Sequence, residues 1–293
     1  MYTFESQYEK YLDRFTAYAE SYCSKLSTRP SVLGESIKYS LLLGGKRIRP
    51  VLLLATADVL GVAEEDVLPF ALALEMIHTY SLVHDDLPAM DNDDFRRGKP
   101  SNHKVYGEAN AILAGDGLLN TAYSICLDEC LKGEKYVLAA KYLCECAGIG
   151  GMIAGQSADL YHTASDAPVT EDELLYIHEQ KTGKLLLAPV AIASILGGNK
   201  FFFEFERFGK YLGSLFQITD DLLDVTGEFA SLGKTVGKDE AENKLTCVSL
   251  FGVEGARIQA DMYAEHCYTV LDGVDGDTEF LRDLITFVRN REH

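Results

Sequence analysis

Long apolar stretches recur along this chain at helical rather than alternating spacing: Ile37–Leu43, Val51–Leu60, Leu68–Val83, Ala111–Leu127, Leu174–Leu187 and Phe208–Val225. Several exceed ten residues and are rich in Ala, Leu, Glu and Lys, which favours helix over strand. Several are apolar nearly all round, so they are expected inside the protein, covered by other helices. Gly, Pro and Asp cluster between them at 28–34, 61–69, 88–100, 197–200, 226–240 and 271–277, the positions expected for turns. Only seven prolines occur in 293 residues, no Pro/Gly/Ser-rich linker divides the chain and no repeat of fixed period is visible. The expectation is one all-α domain over residues 1–293, built from about ten or more helices.

The formal net charge is −18. A surface so acidic repels nucleic acid, so no nucleic-acid partner is expected. It also repels small anions at long range, so an anionic ligand must be captured by basic residues set among the carboxylates. No apolar run reaches the roughly 18 residues of a membrane span; the stretch Pro69–Val83 carries Glu75 and His78. The opening MYTFESQYEKYLDRF mixes charges with aromatics and has no apolar signal core, so a cytoplasmic protein without membrane insertion is expected. Seven cysteines (23, 126, 130, 144, 146, 247, 267) are odd in number and scattered, which argues against a disulfide framework. They form no CxxC pair, and no histidine follows at finger spacing. They read as buried thiols.

Two aspartate clusters stand out. In Asp220-Asp221-Leu222-Leu223-Asp224, a helix places Asp220 and Asp224 on one face with Cβ atoms about 6 Å apart. Their neighbours Leu215, Phe216, Ile218, Leu222, Leu223 and Val225 are apolar, so the carboxylates need partners. Hard cations, which prefer oxygen ligands, would supply them. In His84-Asp85-Asp86-Leu87-Pro88-Ala89-Met90-Asp91 the outer aspartates do not share a face of a continuous helix. Pro88 disfavours α geometry at Leu87, so the helix should end near Asp86 and a loop should carry Asp91 round. Carboxylates at a helix C-terminus oppose its dipole, and a bound cation reverses that penalty.

Basic residues accompany both clusters. Arg96 and Arg97 follow the first. Gly44-Gly45-Lys46-Arg47-Ile48-Arg49-Pro50 lies between two apolar helices and has the makings of an anion seat, with glycine permitting close backbone approach and arginine gripping phosphate in a fork. Gly183 in Lys181-Thr182-Gly183 costs a helix roughly 1 kcal/mol against alanine. A kink there would release a backbone carbonyl. Residues 226–244, with Lys234, Lys238 and Lys244 among glycines, read as a basic flap.

Together, GGKRIRP (44–50), EMIHTYSLVHDDLPAMDNDDFRRGKPSNH (75–103), LAGDGLL (113–119), GQSADL (155–160), KTGKL (181–185) and FQITDDLLDVTG (216–227) resemble the trans-type isoprenyl diphosphate synthases, with the bacterial farnesyl diphosphate synthases as the nearest group. The resemblance covers about Ser40 to Arg257. It implies the isoprenoid synthase fold, with helices around a central active-site cavity, and a homodimer. It implies head-to-tail condensation of isopentenyl diphosphate with an allylic diphosphate, using three Mg²⁺ ions. Carried over by position, Asp85 and Asp91 would serve one pair of ions and Asp220 the third, with Asp86, Asp221 and Asp224 close by. Arg96, Lys181, Lys234 and Lys244 would hold the allylic diphosphate. Lys46, Arg49, His78 and Arg97 would hold isopentenyl diphosphate. Thr182, Gln217 and the Lys181 carbonyl would stabilise the allylic cation. No side-chain nucleophile is needed, and the cysteines and serines receive no catalytic role.

Tyr80 lies five residues before Asp85, about 7.5 Å along a helix, and Ser81 four before. An aromatic at this place in the family, with the two-residue insertion in the first cluster, goes with a C15 product, which makes Tyr80 and Ser81 the expected chain-length residues. A geranylgeranyl (C20) synthase is the alternative with the same chemistry. A terpene cyclase would not need Lys46, Arg49 and Arg97, and its second motif usually mixes Asn, Ser or Thr with Glu. A non-catalytic partner subunit typically lacks one aspartate cluster, and here both are intact.

Overall fold

The computed structural model describes residues 2–163, 170–226 and 246–291. Thirteen α-helices are assigned among them: α1 (Phe4–Lys25), α2 (Ser31–Leu41), α3 (Ile48–Leu60), α4 (Glu64–Asp85), α5 (Asn102–Tyr106), α6 (Glu108–Cys130), α7 (Glu134–Ala147), α8 (Met152–Thr163), α9 (Glu171–Ile177), α10 (Lys184–Leu196), α11 (Phe202–Thr226), α12 (Cys247–Leu271) and α13 (Glu279–Arg289). A π-helical turn, His178–Gly183, joins α9 to α10. The all-α expectation holds. The only strands among the described residues are β1 (Phe95–Arg96) and β2 (Lys99–Pro100), an antiparallel pair. Their turn residues Arg97 and Gly98 both have positive φ, the backbone twist that suits a two-residue hairpin.

Local chemistry explains several boundaries. Thr3 caps α1 by accepting from the Ser6 amide at 3.2 Å. Thr170 and Glu173 form a reciprocal capping box on α9, and Thr246 and Ser249 one on α12. Helix α4 starts at Glu64, inside a stretch that composition marked as a turn, because Glu64, Glu65 and Asp66 suit the positive end of its dipole.

Helices α4 and α10 form the interior. Every residue of α10 from Leu185 to Leu196 is buried, and α4 packs against α3, α6 and α10. Helix α11 lies between α10 and α12. Two helical stretches are apolar and long enough for a membrane span, a point the sequence reading did not anticipate. One is α4, whose apolar window is 78% buried inside the protein; the other, Glu134–Thr163, runs through α7 and α8, which the Gly148–Gly151 turn separates. All seven cysteines are free; five are buried as expected, but Cys144 is exposed on α7 and Cys130, the last residue of α6, is partly so.

Between the N-terminus of α3 and the middle of α4 lies a buried ion pair. Arg47 Nη1 meets Glu75 Oε1 at 2.5 Å, with side-chain exposures of 6% and 2%, and Arg47 Nη2 donates to the Leu41 carbonyl. Removing one partner strands a buried charge. Glu75→Ala is therefore expected to lower unfolding free energy by about 3–5 kcal/mol, read as a lower urea midpoint at unchanged slope.

Candidate active site

Helix α4 ends at Asp85, with Asp86 as its C-cap. Leu87 donates to the His84 carbonyl, Met90 and Asn92 both donate to the Leu87 carbonyl, and the Asp91 amide returns to the Asp85 carbonyl at 2.9 Å. The Pro88 loop thus brings Asp91 beside Asp85. Asp85 accepts from Gln156 Nε2 on α8. Burial, with nearby Asp91 and Asp86 adding to it, pushes the Asp85 carboxyl up to about 6. Asp86 faces elsewhere: it is 2% exposed and accepts from both Nε and Nη2 of Arg96.

Lys181 Nζ pairs with Asp159 Oδ2 at 2.6 Å. Burial opposes its charge, but Asp85 and Asp159 outweigh that and hold the ammonium above the usual lysine value. Lys181 and Thr182 sit on the π turn, the irregularity that the Gly183 kink anticipated. Two glycines press on it. A methyl group at Gly155 of α8 would stand 2.6 Å from Lys181 Cα, and one at Gly213 of α11 would stand 2.9 Å from Gly183 Cα. Such contacts lie inside van der Waals distance, so backbone meets backbone at both positions.

Thr182 Oγ1 donates to Gln217 Oε1 at 2.8 Å, and Gln217 Nε2 donates to Asp221 Oδ1 at 3.0 Å. Asp221 Oδ2 accepts from the Cys247 amide at 2.7 Å and stands 3.7 Å from His178 Nε2. At 3% exposure, Asp221 ties α11 to the π turn and to α12. Asp220, on the neighbouring face, pairs with Arg291 Nη2 at 2.6 Å. Asp224 is buried on the same helix. Lys234 and Lys244 lie outside the described residues.

Two cavities meet at this site. One of about 540 Å³ is lined by Tyr80, Ser81, Asp85, Leu119, Met152 and Thr182, among others. The other, of about 310 Å³, is ringed by Lys46, Arg47, Arg49, Arg97 and Arg291. Arg49 and His78 belong to both. Arg49 Nη1 donates to His78 Nε2 at 3.2 Å. Burial and four surrounding arginines keep that imidazole neutral, well below the usual histidine value. Burial also lowers the Lys46 ammonium to about 8 and the Arg97 guanidinium to about 10. Cations held at such a cost favour an anionic ligand. Gly45, at φ +102, lies against the Arg97 guanidinium where a side chain would collide, and Arg97 donates to the Gly44 carbonyl.

A family model described as polyprenyl synthetase matches residues 30–272. The chain belongs to the polyprenyl synthetase family. This polyprenyl synthetase is 44% identical over 269 residues to a farnesyl diphosphate synthase of Geobacillus stearothermophilus, covering 90% of each chain. It is 44% identical over 250 residues to a chloroplastic geranylgeranyl pyrophosphate synthase of Capsicum annuum, covering 84% of this chain and 68% of that one. Its fold matches a geranyltransferase from Helicobacter pylori complexed with magnesium and isoprenyl diphosphate, with TM-score 0.85 and 31% identity, covering 99% of this chain and 97% of that one. It is a prenyltransferase.

The synthetase site contains residues that sequence analysis passed over. Arg291 is the clearest. Its side chain is 9% exposed, its guanidinium lies 4.4 Å from the Phe216 ring centroid, and Nε and Nη1 are buried without a partner. Gln156, in the GQSADL stretch, donates to Asp85. The donor set fits a hard divalent cation, because the Asp91 backbone returns to Asp85 at the negative end of α4, near enough for the Asp91 charge to act on the Asp85 carboxyl, and Asp220 already holds a cationic group.

Proposed function

We propose that this prenyltransferase is a farnesyl diphosphate synthase. It joins isopentenyl diphosphate head-to-tail to dimethylallyl and then geranyl diphosphate, releasing farnesyl diphosphate (C15) and pyrophosphate. The observation that carries the reading is the meeting of the two cavities at Arg49 and His78: one is largely apolar below Asp85, the other ringed by cations. An apolar chain with a charged head suits the first, and a short anionic molecule suits the second.

The allylic carbon–oxygen bond breaks with its electron pair going to the diphosphate. Mg²⁺, expected as three ions held by Asp85, Asp91 and Asp220 with Asp86, Asp221 and Asp224 around them, supplies positive charge for that leaving group when bound. Lys181 lies within the field of Asp85 and Asp91, where its ammonium binds the departing diphosphate more strongly than the ester. Arg96 orients the carboxylate side through Asp86 and joins the allylic diphosphate group, together with Lys234 and Lys244. Lys46, Arg49, His78, Arg97 and, from the structure, Arg291 hold isopentenyl diphosphate. Thr182 donates its hydroxyl hydrogen bond to Gln217, which leaves its oxygen lone pairs, with the Lys181 carbonyl, to stabilise the allylic cation. The apolar lining keeps water from that cation. The isopentenyl double bond attacks it, and the proton then lost goes to pyrophosphate.

Purified protein incubated with Mg²⁺, isopentenyl diphosphate and either allylic diphosphate should yield C15 alcohol after dephosphorylation. Absence of incorporation would overturn the enzyme reading, and a C20 main product would overturn the C15 reading. Tyr80 lines the first cavity at 6% exposure, one ring edge-on to His84. Tyr80→Ala removes that wall, and its products should lengthen beyond C15. Unchanged C15 output from this variant would sink the floor role of Tyr80.

The reading extends to one domain over 1–293 and to a cytoplasmic homodimer. Free thiols throughout suit a reducing compartment. Ile112, Leu113 and Leu127 expose apolar surface along α6, where a second copy would cover them.

A further inference from the structure

His178, Asp221 and Cys247 converge although 43 and 26 residues separate them along the chain. One ligand atom from each lies within 4.8 Å of the other two. Tetrahedral zinc with bonds of about 2.0–2.3 Å holds its ligands roughly 3.5 Å apart. The separation of 3.7 Å between His178 Nε2 and Asp221 Oδ2 is already close to that edge. Asp221 and Cys247 are each 3% exposed, while the His178 side chain retains 11%, which gives an ion a way in. The carboxylate is held in place from behind: Gln217 fixes Oδ1, and Thr182 fixes Gln217. Such outer hydrogen bonds are what orient ligands at metal centres.

We propose that His178, Asp221 and Cys247 form a binding site for one thiophilic divalent cation, Zn²⁺ or a metal like it, that shares only Asp221 with the aspartates set around the Mg²⁺ ions. Sulfur and imidazole select borderline metals, whereas Mg²⁺ keeps to oxygen. Binding expels the Cys247 thiol proton to solvent and leaves thiolate, carboxylate and neutral imidazole around the ion, a set with no net charge. The fourth position stays open to water. The ion joins the π turn, α11 and the start of α12, so it stiffens the segment that carries Lys181 and Thr182.

Protein stripped with chelator and then saturated with Mg²⁺ is titrated with Zn²⁺ against a chromophoric competitor. One equivalent per chain should bind with a dissociation constant below about 1 µM. Cys247→Ser and His178→Gln should each weaken it by at least about a hundredfold, more than loss of an outer-shell partner costs. Co²⁺ in place of Zn²⁺ should give a thiolate-to-cobalt charge-transfer band that Cys247→Ser abolishes. Circular dichroism confirms that both variants are folded, and either one alone suffices if the other fails to fold. Absence of zinc binding in the micromolar range, or stoichiometric binding with an unaltered cobalt spectrum in Cys247→Ser, would overturn the site. The readouts need no turnover, so the result stands apart from the synthase reading.

Discussion

Asp220→Asn is expected to lower turnover by about 10²–10³-fold with little loss of helical structure. That is the scale seen when one stabilising group is withdrawn from developing negative charge. Asparagine is the informative replacement because Asp220 has two tasks. On the proposed reading it holds a hard cation, and it pairs with Arg291, whose side chain is only 9% exposed. Asp220→Ala would abandon that guanidinium, two of whose nitrogens already lack partners, and would mix a folding defect into the kinetics. An amide oxygen still accepts from Arg291 while the charge is gone. Asp85→Asn tests the first cluster in the same way, since the amide can still meet Gln156. The measurement is Mg²⁺-dependent incorporation of labelled isopentenyl diphosphate, with circular dichroism as control. Turnover within tenfold of the parent for both variants would remove the aspartates from the chemistry.

Gly155→Ala should cost about 10²-fold in turnover, although residue 155 contributes no side chain to the site. Its new methyl meets the Lys181 backbone, so the π turn must yield. A displacement near 1 Å of positioning groups costs about that much in rate. Overpacking should also lower stability by about 1–3 kcal/mol. Gly213→Ala, whose methyl contact at Gly183 Cα is 2.9 Å, should show a milder version of both effects. Rates for the parent and both variants, taken well below their unfolding midpoints, separate the two losses. Parental turnover in Gly155→Ala would mean that the π turn does not position Lys181 and Thr182.

The helical architecture was legible because its signals are local. Apolar periodicity marked α4, α11 and the run from α9 into the start of α10, and Pro88 foretold both the end of α4 and the return of Asp91 to Asp85. What escaped depends on partners distant in the chain. Nothing around Arg291 says that α13 delivers it to Asp220. Asp86 and Asp221 were expected only close by the ions, and their partners were not foreseen: Arg96 engages one, while Gln217 and the Cys247 amide engage the other. The cysteines read as inert core, and Cys247 is buried as expected, but at the mouth of a helix beside His178 and Asp221. Glycine at 183 suggested a kink. The pressure from Gly155 and Gly213 that accompanies it belongs to packing between helices, which no single segment records.

The π turn also sets a phase. Such a turn holds one residue more than the α turn it replaces. Since each helical residue advances the wheel by about 100°, the faces of α9 and α10 are offset by roughly that angle from a continuous helical count. Helix α10 is locked in the interior, so any adjustment falls on the α9 side. Removing a single residue between 178 and 183 would restore an unbroken α-helix and swing Leu174 and Ile177, now buried, toward another face. Substitution within this stretch changes chemistry one side chain at a time, whereas a change of length re-indexes the whole arm. The segment is constrained by its number of residues as much as by their identity.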